Sequence, residues 1–351
     1  MRYLLPLFCV LVFLPVTSLS QVPEPGIPVH EVEWDPDRET RNFSSNYEGP
    51  IIDTHVHVDP PGHNNISMQE IIDVMDDEGV ERIIVMPTPN EAKLEEIPGS
   101  GTRRRLELAA LAPERIGIMT GSEYLTRWFH EAFEDGYNES ELEGLLEKLA
   151  NDLDSGRFMG VGEIGVHHFT KWGHQAVINF PSDFGPFQEM VALVAEKGVW
   201  LDMHAETYDP NEDQSYLNEV LGGVELMFRD HPGLKLVWSH TAMTNAANAR
   251  ELLLRYPSVV MNFKLVMDHS KWRGLEPICD EDGHLYEDWA RLFEEMPDRF
   301  VVGTDYKFAR QGVRTSKYDK TIKRIRKVLG SLSSEAAHMI AYENALRLFW
   351  E

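Results

Sequence analysis

Short apolar runs alternate with helical stretches along the chain from residue 50 onward. Because the runs are apolar on both faces, they are typical of parallel strands that helices cover on the outside. The predicted strands lie at 51–55, 83–86, 116–119, 159–163, 199–204, 236–240, 259–263 and 300–305. Eight strands with a helix after each predict a (β/α)8 TIM barrel in the α/β class.

Helix signals separate these runs. Ser67 and Glu70 have the spacing of a capping box, and Gly79 follows as a stop. Asp183 is expected to cap a later helix that ends at Gly198. The stretches 120–138, 165–182 and 264–283 are expected to be loops over the barrel mouth.

A doubly wound sheet is the alternative fold. It requires a glycine-rich phosphate-binding turn after the first strand. Residues 55–60 read His-Val-His-Val-Asp-Pro, which cannot cradle a pyrophosphate. The sequence therefore favours the barrel.

The first twenty residues resemble a secretory signal peptide. Arg2 precedes an apolar run at 4–16, and small residues at Ser18 and Ser20 predict cleavage before Gln21. The run is too short for a stable membrane anchor. We expect export to the periplasm or the medium, an extended N-terminal arm at 21–49 and the barrel at 50–351. N-terminal sequencing of the exported protein should therefore begin near Gln21.

Acidic residues outnumber basic ones, with 58 Asp and Glu against 33 Lys and Arg, which gives a formal charge of −25. Long-range repulsion of this size disfavours nucleic acid as a partner. We expect a small neutral or cationic substrate. Whether the chain forms a homo-oligomer stays open.

Polar residues stand where the predicted inner strands end. Carboxyl ends of barrel strands converge on one mouth, and two histidines at i and i+2 point to the same face. Imidazole and carboxylate together suit Zn²⁺ or another first-row divalent ion. The candidate ligands are His55, His57, Glu163, His204, His240 and Asp305.

These residues, in this order, resemble the amidohydrolase superfamily, and the resemblance runs from about residue 50 to the C-terminus. Asp53-Thr54-His55-Val56-His57 and Gly303-Thr304-Asp305-Tyr306 are similar to its amidohydrolase-related metal-dependent hydrolase branch. The resemblance implies a TIM barrel that binds one or two ions, with Zn²⁺ expected and Mn²⁺ as the alternative.

Glu163 departs from the members that use a carboxylated lysine on the fourth strand. It resembles the bridging glutamate of the deoxyribonuclease-like branch, so the site could hold one ion or two. Asp305 is expected to act as general base towards a metal-activated water. Two roles stay open for His240, which would bind a second ion or donate a hydrogen bond to the reacting oxygen.

The substrate is less well specified, because superfamily members hydrolyse esters, lactones, amides and phosphoesters, and a few decarboxylate. Lys264, His167, His168 and Arg310 follow the predicted strands and are candidates for substrate binding. Our first hypothesis is an exported metal-dependent hydrolase. The alternatives are a metal-dependent nonhydrolytic decarboxylase and a catalytically silent metal-binding barrel.

Overall fold

The computed structural model describes residues 38–58, 66–89, 100–169, 177–265, 277–308 and 315–351. The predicted signal peptide, the predicted arm up to residue 37 and Arg310 lie outside these ranges. Within them, no helix combines the length and the apolar character that crossing a bilayer demands.

Eight parallel strands close into a barrel, which confirms the predicted (β/α)8 fold and excludes the open doubly wound sheet. The ring closes where the first strand pairs with the last long one, with Asp53 opposite Val302. The eight barrel strands are β1 (Ile51–His57), β2 (Val80–Met86), β3 (Ile116–Thr120), β4 (Gly160–His168), β6 (Trp200–Ala205), β9 (Lys235–Trp238), β10 (Val259–Phe263) and β11 (Phe300–Val302). Four two-residue strands lie outside the ring: β5 (Ile178–Asn179), β7 (Tyr208–Asp209), β8 (Gln214–Ser215) and β12 (Tyr306–Lys307).

Helices surround the ring and bury one face each against it. The helices are α1 (Met68–Glu78), α2 (Ser100–Leu111), α3 (Ser122–Asp135), α4 (Glu139–Asp154), α5 (Gly185–Lys197), α6 (Leu217–Asp230), α7 (Ala246–Arg255), α8 (Glu287–Glu295), α9 (Thr315–Leu329), α10 (Ser334–His338) and α11 (Asn344–Phe349). The first helix has the predicted boundaries, because Ser67 and Glu70 form a complete capping box and Gly79 ends it at φ 65°.

The structure corrects three local predictions. The predicted loop at 120–138 is largely helix α3, whose Leu125 and Phe129 pack into the core. Asp183 does not cap α5, which begins after Phe184 without a side-chain cap. Strand β4 does not end at Glu163 but continues to His168, because its last residues pair with β5.

A small apolar cluster fills the end of the barrel where the strands begin. It joins Ile52, Ile84, Val237 and Val301 from four strands to the C-terminal helix α11. The indole of Trp200 donates a hydrogen bond of 3.0 Å to the Leu348 carbonyl, which fixes that helix beneath the strands. Since this end is packed, the opposite end is left for a site.

Residues 38–49 run along the outside of the barrel. Arg38 forms two hydrogen bonds with Asp288, and Arg41 forms two with Glu287, so both arginines hold this segment to α8. The hydroxyl oxygen of Tyr47 lies 2.9 Å from His338 Nδ1. This part of the chain supports the barrel from outside.

We predict opposite stability changes for two glycine-to-alanine substitutions. Gly198 ends α5 at φ 64°, and Gly144 lies within α4. An added Cβ meets no heavy atom within 4 Å at either position, so only the backbone conformation differs. Gly198→Ala should cost about 1–2 kcal/mol of unfolding free energy. Gly144→Ala should gain about 0.5–1 kcal/mol. Urea unfolding measures both, and changes of the same sign would contradict the prediction.

Candidate metal centre

Four of the predicted ligands form one group at the mouth of the barrel. Ligand atoms of His55, His57, Glu163 and Asp305 all lie within 4.8 Å of one another. His57 Nε2 lies 2.9 Å from Asp305 Oδ1. Glu163 Oε2 lies 3.3 Å from His55 Nε2 and 3.5 Å from His57 Nε2. These residues could hold one divalent cation.

The other predicted ligands form a second group that shares the same carboxylate. Glu163 Oε1 lies 2.7 Å from His204 Nδ1 and 3.3 Å from His240 Nε2. One oxygen of Glu163 therefore faces His55 and His57, and the other faces His204 and His240. A carboxylate placed in this way has the geometry to join two cations.

A third group lies beside the second and contains a residue that the sequence analysis missed. Glu206 Oε1 is 3.4 Å from His204 Nε2, and the ring of His168 stacks on His204 with centroids 4.9 Å apart. The other oxygen of Glu206 accepts a hydrogen bond from the Phe169 backbone. The spacing of His204 and Glu206 was the available signal, since residues i and i+2 at a strand end share a face.

Buried ring nitrogens that lack a hydrogen-bond partner indicate whether a cation fits these ligand groups. Among the described residues, His55 Nε2 and His240 Nε2 are buried and have no hydrogen-bond partner. Leaving such an atom unpaired costs about 1–3 kcal/mol. Each nitrogen faces Glu163 within a ligand group, so a cation would satisfy both.

The pKa values at this centre reflect burial opposed by neighbouring charges. Burial raises the pKa of Glu163, but the charges of His55 and His204 outweigh it and hold that pKa well below its usual value. Burial lowers the pKa of His55, but the carboxylates of Glu163 and Asp202 together outweigh it and raise that pKa well above its usual value. In the same way Glu163 raises the pKa of His204 to about 9 against burial. Burial and Lys264 lower the pKa of His240 to about 3.

A buried polar network holds His55 from behind. Its Nδ1 lies 3.4 Å from Asp202 Oδ2, 3.3 Å from Ser239 Oγ and 3.2 Å from Asn262 Nδ2. Asn262 also accepts a hydrogen bond of 2.9 Å from the backbone N–H of His240. Such contacts fix the ring orientation of a ligand histidine. Asn262 thus connects a ligand of the first group with a ligand of the second.

Left-handed backbone presents two of the ligands. His240 lies at φ 60° and Asp305 at φ 52°, both without the freedom of glycine. Such conformations persist only where the surroundings hold them. Asp53 secures the segment before Asp305, because its carboxylate accepts hydrogen bonds from the Thr304 N–H at 2.9 Å, the Thr304 hydroxyl at 2.6 Å and the Tyr318 hydroxyl at 3.0 Å. Burial raises the pKa of Asp53 to about 6.

The predicted substrate-binding residues are not all at the mouth. His168 and Lys264 line a cavity over the ligand groups, and Lys264 Nζ lies 2.6 Å from Asp305 Oδ2. The ring of His167 forms hydrogen bonds with Asn179 and Glu219, and the described lining of this cavity does not include it, so its predicted role in substrate binding gains no support here. Arg310 lies outside the described residues.

The cavity has a volume of about 370 Å³. Its described lining includes Glu163, His204 and Asp305 together with Lys307, a residue that the sequence analysis did not single out. Volumes at the low end of ligand pockets suit a small molecule. The ligand groups therefore open onto a space that a small substrate could fill.

A sequence model of the amidohydrolase family matches residues 52–350. The chain belongs to the amidohydrolase family. Six predicted ligands at one barrel mouth agree with that membership. No match was found among curated proteins.

Solved structures with the same barrel include proteins of different activities. A 2,6-dihydroxybenzoate decarboxylase in complex with 2,6-dihydroxybenzoate matches with a TM-score of 0.52 and 15% identity, covering 86% of this chain and 99% of the other. A dihydroxybenzoic acid decarboxylase from Polaromonas sp. JS666, with manganese and 2-nitroresorcinol bound, has a TM-score of 0.52 and 15% identity, covering 86% and 97%. A 4-oxalomesaconate hydratase from Rhodopseudomonas palustris has a TM-score of 0.51 and 12% identity, covering 85% and 95%. These similarities show a shared fold.

We predict that metal binding releases protons. The raised pKa values leave His55 and His204 protonated at neutral pH in metal-depleted protein, and a ligand nitrogen must be neutral. Apparent affinity should therefore rise with pH, about tenfold per unit for each displaced proton, until the pH passes the pKa of about 9 at His204. Calorimetry in buffers of different ionisation enthalpy counts the protons. Binding that is independent of pH between 6 and 8 would contradict the prediction.

The number of ions should depend on Glu163. Glu163→Gln keeps the shape but removes the charge, and a neutral amide is a poor bridge between two cations. Titration of metal-depleted protein with Zn²⁺ or Mn²⁺ should saturate at two ions in the wild type and at one in the variant. Glu295→Gln, on the outer face of α8 beside Arg250, is the matched control. A variant that still binds two ions would show that Glu163 does not bridge.

Proposed function

We propose that this chain is a metal-dependent hydrolase of a small ester, lactone, amide or phosphoester. The supporting observation is the position of Asp305. Its carboxylate belongs to the first ligand group, contacts His57, and lines the cavity where a substrate would lie. A group that faces both a ligand set and a substrate cavity is placed to move a proton between water and substrate.

The residues that would hold the cation are those of the first group, with Glu163, His204 and His240 available for a second. A bound divalent cation supplies Lewis acidity and lowers the pKa of an attacking water. The mixture of imidazole and carboxylate suits Zn²⁺, and Mn²⁺ is the alternative.

The chain's own groups then complete the reaction. Water adds to the substrate's carbonyl or phosphoryl centre, and Asp305 accepts one of its protons. As the bond to the leaving oxygen or nitrogen breaks, Asp305 returns that proton to the leaving group. Lys264 and His57 keep the Asp305 carboxylate ionised: although burial raises its pKa, these neighbours hold it well below its usual value. The remaining product is an acid.

Decarboxylation is the second candidate. The observation that favours it is Lys264, which lies at the cavity beside Asp305 and could hold a carboxylate there. Two decarboxylases share the fold at 15% identity, which does not transfer their reaction to this chain. Release of carbon dioxide from aromatic or unsaturated acids, without hydrolysis of any ester, lactone, amide or phosphoester, would favour this candidate.

Asp305→Asn tests the proposal directly. On a panel of esters, lactones, amides and phosphoesters, the variant should lose about 100- to 10,000-fold in kcat, which is the usual contribution of a general base. It should keep bound metal, because the other ligands of the centre remain. Product formation and metal content are both measured.

Asp230→Asn provides the matched control, since Asp230 is exposed beside Arg229 at the far end of α6. Its kcat and metal content should equal those of the wild type. A wild type that binds metal but turns over no member of the panel would contradict the proposal. A catalytically silent metal-binding barrel predicts that result.

A further inference from the structure

We propose that the substrate carries a carboxylate and that Lys307 and Lys264 bind it beside the metal centre. The inference rests on the proposed function and names the substrate class for the same site. It replaces the neutral or cationic molecule that the overall charge favours.

The positions of the two lysines carry the argument. Lys264 directly follows β10, and Lys307 lies in β12 opposite His57 of β1. Both line the same cavity as Glu163 and Asp305. Strands β10 and β1 flank β11 in the ring, so the two lysines enter the mouth from neighbouring positions.

The charge balance of the cavity supports an anion. With the histidines neutral, as ligands of a cation are, the three carboxylates and two lysines of the described lining carry a net charge of −1. One divalent cation would change this to +1, and two would change it to +3. A metal-loaded cavity is therefore positive inside a chain of charge −25. Such a cavity attracts a small anion at short range.

The position of two lysines beside a cation site also calls for an explanation, because their charges have the same sign as the cation. Two ammonium groups repel a bound divalent cation, and a substrate carboxylate that contacts them would reduce that repulsion. Lys264 contacts Asp305 at 2.6 Å, but a cation on Asp305 would compete for that charge. A substrate carboxylate between the lysines offsets the repulsion and places the reacting group towards Asp305. The cavity volume of about 370 Å³ suits a small substrate.

A pair of esters that differ mainly in one charge tests the inference on the metal-loaded enzyme. Mono-p-nitrophenyl succinate ends in a carboxylate, whereas p-nitrophenyl butyrate ends in a methyl group at the same position. The wild type should favour the succinate ester by about 10- to 100-fold in kcat/KM, since a charged hydrogen bond contributes that much. Lys307→Met should bring the ratio of the two esters close to one, and Lys307→Arg should restore it.

Lys235→Met is the matched control, because Lys235 is exposed at the start of β9, at the opposite end of the barrel. It should keep the wild-type ratio. Equal or better turnover of the butyrate ester by the wild type would overturn the inference while the hydrolase proposal stands.

A binding measurement separates the two proposals. Calorimetric titration of metal-loaded protein with succinate should show about 10- to 100-fold weaker binding in Lys307→Met and no change in Lys235→Met. If no member of the ester, lactone, amide and phosphoester panel is hydrolysed but succinate binding depends on Lys307, the hydrolase proposal fails and the carboxylate site stands. Succinate binding that Lys307→Met leaves unchanged would overturn the inference.

Discussion

The buried carboxylate of Glu163 lies between two pairs of histidines, and each of its oxygens faces one pair. Burying a carboxylate is costly unless positive charge or hydrogen bonds compensate it. Here the compensation comes from His55 and His204, whose raised pKa values are the counterpart of its own lowered one. Divalent cations can replace those protons. The protonated and metal-bound states are therefore alternative ways to neutralise one carboxylate.

This arrangement depends on residues that never reach the cavity. The side chain of Asn262 contacts His55 and Ser239, and it accepts a hydrogen bond from the backbone N–H of His240. It therefore connects candidate ligands from two parts of the barrel. Asp53 binds the segment before Asp305 through Thr304 and Tyr318. Because His240 and Asp305 both have left-handed backbone, these hydrogen bonds hold conformations that the chain would otherwise leave. The positions of both candidate ligands therefore depend on buried hydrogen bonds of Asn262 and Asp53.

The sequence was informative wherever periodicity and strand ends determine position. Apolar runs of a few residues predicted all eight barrel strands, and polar residues near their ends predicted six candidate ligands, which the structure brings together in two groups that share Glu163. Residues that usually mark the ends of helices and strands were less reliable. Helix α3 starts after Gly121 without a side-chain cap, so its apolar face at Leu125 and Phe129 was the better indicator. The continuation of β4 past Glu163 depends on pairing with β5, a contact between segments that no local pattern contains.

Lys307 escaped prediction for a different reason. It lies at the cavity because β12 pairs with β1, and it belongs to no motif. Glu206 differs, because its spacing from His204 was a signal that the sequence did contain.

Charge, too, acts differently over the whole chain and within one cavity. Screening at physiological salt limits the reach of exposed charges to about 8 Å, so a formal charge of −25 governs the approach of large polyanions more than the contents of one cavity. Inside the cavity, the nearby lysines and any bound cation decide which sign of ligand is favoured. Repulsion of a large polyanion by the whole chain is therefore compatible with the proposed binding of a small carboxylate at the candidate metal centre.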